Sequence, residues 1–106
     1  MIKKRAYISG AISALKEKNW RYNFNEAEKY LRKKGYENIV NPINIPPYRN
    51  QTKWSDYLRN DLRELCWCDE IWMMNNWWKS KGAWTELLIS YILGIDIKWL
   101  KIQLRK

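Results

Sequence analysis

The chain is predicted to be α/β, a small three-layer α/β/α sandwich around a mostly parallel sheet of four to five strands. Three observations predict this. Strand-like runs and helical periods alternate as β-α-β-α-β-α-β, the pattern of parallel strands joined by right-handed crossovers with helices on both faces. Gly35 and Gly94 each close a helical period just before a strand-like run, as helix-ending glycines do. The length of 106 residues, 46% hydrophobic, suits one domain with one core over residues 1–106.

The elements follow in order. Lys4 to Ser9 is a first strand ending in Ser9-Gly10, and Ala11 to Tyr22 lacks periodicity and is expected as a loop or short turn. Asn23 or Asn25 is a candidate cap for a helix to Lys34, with Phe24, Ala27, Tyr30 and Leu31 on one face. Glu37 to Asn41 is a second strand, closed by Pro42. Pro42 to Lys53 holds three prolines and is expected as a loop; loops of this length in compact domains are often functional. Ser55 is expected to cap a helix to about Cys66 with Trp54, Tyr57, Leu58, Leu62 and Leu65 facing inwards. The third strand lies within Asp69 to Asn75, and Asn76 to Lys79 is a turn. The third helix ends at Gly94, Asp96 to Ile102 is the fourth strand, and the basic tail is expected to add little.

Composition narrows the function classes. Eight Trp and seven Tyr beside one Phe mark a folding chain. No apolar run approaches the ~20 residues that span a bilayer, and the start is too weakly apolar for a signal peptide. A cytoplasmic setting and no membrane partner are the expectation. Cys66 and Cys68 form a C-x-C pair without any histidine, so a four-ligand thiolate–imidazole zinc site cannot be assembled in one chain. The net charge of +9 raises the prior for a phosphorylated or polyanionic partner. The basic residues are spread over predicted helix exteriors and the tail, however, and no helix-turn-helix, zinc-finger or RNP-type pattern accompanies them, so nucleic acid is not the expected partner.

In such sheets ligands sit beyond the carboxyl ends of the strands. Ser9 and Gly10, the Pro42–Lys53 stretch, the turn after strand three and the start of the third helix all reach that edge. The third helix opens Ser80-Lys81-Gly82-Ala83-Trp84-Thr85-Glu86. Gly82 permits close backbone approach to a ligand, and the first-turn N–H groups favour anions. Glu86 shares its face with Gly82, Ala83 and Ser90, whereas Trp84, Leu88 and Tyr91 lie opposite. An exposed helix glutamate is the plain alternative. Ser9-Gly10 reads either as a backbone and hydroxyl cradle or as a tight turn. Asp69 reads as a turn residue or as a second carboxylate whose pKa is set apart from that of Glu86. Trp78 reads as packing or as a platform for a base. Neither a dinucleotide fingerprint nor a P-loop is present.

Together these segments resemble the nucleoside 2-deoxyribosyltransferase-like superfamily, and within it the DUF4406 family of mostly phage and bacterial proteins. The resemblance runs through Tyr7-Ile8-Ser9-Gly10, Asn23 to Leu31, Lys34-Gly35-Tyr36, Val40-Asn41-Pro42, Trp54 to Asp61, Cys68-Asp69 and Trp78 to Leu87. It implies a Rossmann/flavodoxin-like domain and a homo-oligomer whose pockets a neighbouring subunit completes. It further implies Glu86 as nucleophile at the anomeric carbon, Asp69 positioning or protonating the base, and Tyr7, Ser9, Gly10, Ser80, Gly82 and Trp78 lining the substrate pocket. Ser80 stands where the transferases carry Asp and is similar to the serine of 2′-deoxynucleoside 5′-monophosphate N-glycosidases, which implies a phosphorylated ligand. The glycine-rich segment usual after the first Ser-Gly is missing.

The expected function is thus cleavage or exchange of an N-glycosidic bond in a nucleotide or nucleoside by a retaining displacement, with no cofactor. The alternative is a non-catalytic, signal-sequestering nucleotide-binding protein of phage or bacterial origin. A basic nucleic-acid-associated protein is the third reading.

Overall fold

The computed structural model describes residues 1–11, 19–45 and 53–105. Four strands, β1 (Ile2–Ser9), β2 (Tyr36–Val40), β3 (Glu70–Met73) and β4 (Asp96–Trp99), alternate with three helices, α1 (Trp20–Lys34), α2 (Trp54–Leu65) and α3 (Lys81–Leu93). Single 3-10 turns occupy Pro42–Asn44 and Trp77–Lys79. The strands form one sheet in the order β2-β1-β3-β4, and every neighbouring pair is parallel. The expected α/β class with helices on both faces is therefore present.

The pleat of β1 sorts the two layers. Alternate residues point to opposite faces, so Ala6 and Ile8 join Phe24, Ala27 and Leu31 of α1 in one core. Tyr7 points the other way, into the layer of Leu65, Ile71, Met73 and Ala83 beneath α2 and α3. Ser9, two residues on, faces the same side as Tyr7 and is fully buried. The chain steps from β1 outwards to β2 and then returns across β1 to β3. The switch in strand order thus falls between β1 and β3, whose ends are set level by the pairing of Ser9 with Met73.

The helix boundaries differ from the sequence reading for local reasons. α1 begins at Trp20 after Asn19, and neither Asn23 nor Asn25 caps it. Gly35 ends it at φ 105, as expected of a glycine there. Asn23 is buried and spends its amide on the C-terminal segment: Nδ2 donates to the Arg105 carbonyl at 3.0 Å and Oδ1 accepts from the Arg105 N–H at 2.8 Å. The tail is therefore part of the fold, with Leu100 buried and Ile102 and Leu104 packed on the α1 core. α2 starts one residue before Ser55, with Lys53 at the cap position and its N–H donating to Asp56 Oδ2 at 3.2 Å. Trp54 and Tyr57, expected inside, are more than half exposed, whereas Leu65 is buried. Parts of the Ala11–Tyr22 and Pro42–Lys53 stretches, residues 12–18 and 46–52, lie outside the described residues. Among those described, no helix is long and apolar enough to cross a membrane.

Candidate active site

Glu86 lies on the buried face of α3, one turn in from its start, and is 5% exposed. Two donors from β1 meet it: the Tyr7 hydroxyl donates to Oε2 at 2.5 Å and the Ser9 hydroxyl donates to Oε1 at 2.6 Å. Both come from one strand face because they are two residues apart. Each carboxylate oxygen therefore holds one fixed donor, which sets the plane of the group.

A narrow cavity of about 30 Å³ opens beside this carboxylate, lined by Gly10, Phe24, Pro42, Asp61, Ser80, Gly82, Ala83 and Glu86. Ligand pockets usually enclose ~300–1,000 Å³, so this space admits the reacting edge of a ligand while the rest lies over the mouth. The two glycines differ in purpose. A Cβ on Gly10 would sit 2.6 Å from Met74 Sδ, 3.0 Å from Met74 Cβ and 3.1 Å from Asn76 Oδ1. Gly10 is thus required by the fold, where the Ala11 N–H also donates to Asn76 Oδ1 at 3.2 Å. Among the described residues a Cβ on Gly82 would meet only Ser80 Oγ at 3.6 Å and Leu58 Cδ1 at 3.9 Å, ordinary contact distances, so none of them demands glycine there. Ser80 caps α3, its Oγ accepting from the Ala83 N–H at 3.2 Å. Its hydroxyl proton is not used in that bond.

The carboxylate beside Glu86 is Asp61, which lines the same cavity and interacts electrostatically with both Glu86 and Tyr7. Burial pushes the Asp61 carboxyl up to about 7. Burial likewise drives Glu86 up to about 8; the Ser9 and Tyr7 hydrogen bonds pull the other way, and Asp61 adds to the rise. Tyr7 is held well above its ordinary value by burial first and by the Glu86 charge second, so it stays a neutral donor.

Six of the residues singled out in the sequence are thereby brought together: Tyr7, Ser9, Gly10, Ser80, Gly82 and Glu86. Two are not. Asp69 is exposed at the head of β3, where its N–H donates to the Arg5 carbonyl at 2.8 Å and its Oδ2 accepts from the Arg5 N–H at 2.9 Å. It precedes Met73 by four strand positions, ~13 Å at 3.3 Å per residue, and sits at the opposite sheet edge from Glu86. Trp78 is exposed, with the Lys79 ammonium 5.4 Å from its ring centre, and it does not line the cavity. Sequence reasoning missed Asp61, although a signal existed. Leu58, Leu62 and Leu65 mark the inner face of α2 at i, i+4 and i+7, and Asp61 sits on that stripe as an ionisable residue among leucines.

The thiols take no part here. Cys68 is buried, with its thiol pushed up to about 12 by burial, and Cys66 is exposed. Among the described residues no group of three or more His, Cys, Asp or Glu is arranged to hold a metal ion.

The profile of a family described as a domain of unknown function, DUF4406, matches residues 4–99. A 2-deoxyribosyltransferase from the psychrotolerant bacterium Bacillus psychrosaccharolyticus has a similar fold, with a TM-score of 0.67 at 23% identity over 93% of this chain and 77% of that one. No curated protein sequence matches the chain.

Proposed function

The chain belongs to the DUF4406 family, and on that premise we propose that it cleaves or exchanges the N-glycosidic bond of a nucleotide or nucleoside through Glu86. One observation carries the reading: a buried carboxylate with both oxygens pinned by Tyr7 and Ser9 shares a cavity with a second carboxyl, Asp61. The likeness of fold to a 2-deoxyribosyltransferase supports it.

In the proposed step a Glu86 oxygen attacks the anomeric carbon as the carbon–nitrogen bond to the base breaks. The base leaves with the bonding pair and takes a proton from Asp61, directly or through water. The covalent glycosyl ester is then released by water, giving a hydrolase, or by the nitrogen of a second base, giving a transferase, with the proton returned to Asp61. Tyr7 and Ser9 orient the nucleophile and hold it partly ionised against the cost of burial. The acid and nucleophile roles need the two pKa values set apart with the nucleophile ionised. Burial instead places Glu86 near 8 and Asp61 near 7, so the reactive form, Glu86 ionised and Asp61 protonated, is the minor one. No resident cofactor enters this scheme.

Ser80 and the open face of Gly82 support a phosphorylated ligand at the start of α3, where backbone N–H groups and a free hydroxyl proton face an anion. Ser80→Asp keeps a capping oxygen and adds a negative charge, so it should favour nucleosides over nucleoside monophosphates. The deciding experiment incubates wild type and Glu86→Gln with a panel of deoxynucleosides and their 5′-monophosphates and measures free base. Release by wild type and none by the variant is expected. Binding without release by wild type would replace this reading with the sequestering one. A specific observation favours that rival: with burial raising Glu86 to about 8, the carboxyl is largely protonated at neutral pH.

The proposal extends to a homo-oligomer. Trp84, Leu88, Tyr91 and Ile92 form an i, i+4, i+7, i+8 stripe on the outer face of α3, all more than half exposed. Four such side chains offer several hundred Å², a large part of the ~800 Å² per partner of a standard interface. The only charged residue between Gly82 and Ile95 is the buried Glu86, so two strongly basic copies can meet there without opposing charges. Leu88→Glu should shift a wild-type oligomer to monomer in sedimentation; a monomeric wild type would overturn the extension.

A further inference from the structure

We propose that the groove between α1 and the C-terminal segment 100–105 binds single-stranded nucleic acid, independently of the chemistry at Glu86. The groove measures about 660 Å³ and is bordered by Tyr22, Glu26, Lys29, Tyr30, Lys33 and Arg105. The sequence scatters these residues between a helix and a tail, which is why charge spacing alone argued against a nucleic-acid partner. The fold gathers them, because Asn23 clasps Arg105 through both backbone groups and Asn75 Nδ2 donates to the Ile102 carbonyl at 3.1 Å.

The chemistry of the groove is cationic and aromatic together. Glu26 is occupied by Lys29 at 3.1 Å and Glu28 by Arg32 at 2.9 Å. Of the cations that line the groove, Lys33 and Arg105 have no carboxylate partner among the described residues, and the Arg105 guanidinium lies 4.2 Å from the Tyr22 ring centre. Just outside the groove, the Lys34 ammonium is 5.5 Å from the ring centre of Tyr30, which lines it. Cations that follow a backbone beside flat rings that accept bases are the two components of single-strand recognition.

Geometry agrees with this occupant. Tyr22, Glu26, Lys29 and Lys33 fall on one stripe of α1, and Tyr22 to Tyr30 spans eight positions, ~12 Å at 1.5 Å per residue. That is the length of three to four stacked nucleotides at ~3.4 Å each. A duplex keeps its bases stacked inside and leaves the tyrosines unused. A bilayer surface needs projecting aliphatic side chains, whereas Ile102 and Leu104, which line the groove, are half-buried against the core.

The test is fluorescence anisotropy of labelled (dT)12 with the full chain at 50 and 200 mM salt. Binding is expected, weakening with salt. Lys33→Glu with Arg105→Glu should weaken it at least tenfold and flatten the salt dependence, because fewer phosphates are neutralised. Tyr22→Ala with Tyr30→Ala should weaken it several-fold with the salt dependence retained, which separates stacking from charge. Thermal melting of each variant verifies folding, and Lys33→Gln, a milder exposed change, should show an intermediate loss. Absence of binding at 50 mM salt, equal affinity for a 12-base-pair duplex, or affinity indifferent to the charge reversal would each overturn the proposal. Full displacement of (dT)12 by deoxynucleoside monophosphates would do the same, by placing the strand in the Glu86 cleft.

Discussion

Tyr7 donates its hydroxyl proton to Glu86 across 79 residues of sequence, joining the centre of β1 to the first turns of α3 in a 2.5 Å hydrogen bond. The bond has two consequences. It fixes one carboxylate oxygen, and it stabilises the ionised form of a group that burial drives towards the protonated form. Tyr7→Phe keeps the ring and its packing but removes the donor. A hydrogen bond to a charged group contributes ~1.5–3 kcal/mol, and ~1.4 kcal/mol corresponds to one pKa unit. The variant should therefore raise the Glu86 pKa by roughly one unit or more. Because Glu86 already titrates above Asp61, ionised Glu86 beside protonated Asp61 becomes scarcer: the maximal rate should fall about tenfold and the falling limb of the pH–rate profile should move to higher pH. An unmoved falling limb would contradict this.

The same burial predicts how stability depends on pH. Glu86 in the folded chain titrates near 8, against an ordinary value of 4.5. The folded state thus holds a proton that the unfolded chain has released between these values. The stability associated with this group is complete below pH ~4.5 and is lost as pH rises through about 8. Asp61 contributes in the same direction, between 3.8 and about 7. Glu86→Gln, which cannot ionise, should melt with a shallower decline from pH 5 to 9 and exceed wild type at the alkaline end. Parallel melting-temperature curves for the two proteins would contradict a buried, titrating Glu86.

Asp61 and Asp69 offer a direct contrast between carboxylates. Asp61→Asn removes the acid from the Glu86 cavity and should lower base release 10²-fold or more, the ordinary scale of acid–base assistance. The pair Glu86 and Asp61 should titrate as a unit, giving wild type a bell-shaped profile with its maximum between pH 7 and 8. Asp69→Asn leaves an acceptor for the Arg5 N–H and should alter turnover little. The reverse ranking in a rate assay would restore Asp69 to the chemistry.

That contrast also marks how far the residues could be read without coordinates. Alternating strand and helix signals, with Gly35 and Gly94 as stops, made the layer architecture legible, since periodicity reports which face of an element is buried. Tyr7, Ser9 and Glu86 were legible as candidates because they sit at strand and helix ends that this architecture brings to one edge. Asp69 was misplaced because adjacency to a strand in sequence does not say which end of that strand it adjoins. Its exchange of two hydrogen bonds with Arg5 assigns it to the far edge. The inward reading of Trp54 and Tyr57 failed because apolar spacing was counted without a limit on how much surface α2 can bury. The clasp of Asn23 on Arg105 could not be inferred, as it depends on where a tail of no strong local propensity comes to rest.

Gly82 separates a requirement of folding from a requirement of ligand. Its Cβ position is open to within ordinary contact distance of Ser80 and Leu58, and it lies in the first turn of α3. Gly82→Ala should therefore fold normally and gain up to ~1 kcal/mol from the reduced freedom of the unfolded chain. The added methyl group enters a cavity of only about 30 Å³, beside the N–H groups that would face a phosphate. Affinity for deoxynucleoside monophosphates should fall about tenfold or more while the melting temperature holds or rises, measured by calorimetric titration and thermal melting on one preparation. Gly10→Ala is the converse control: the clash with Met74 and Asn76 should lower the melting temperature before any ligand is added. A Gly82→Ala protein that binds as well as wild type would mean that the ligand does not approach the start of α3.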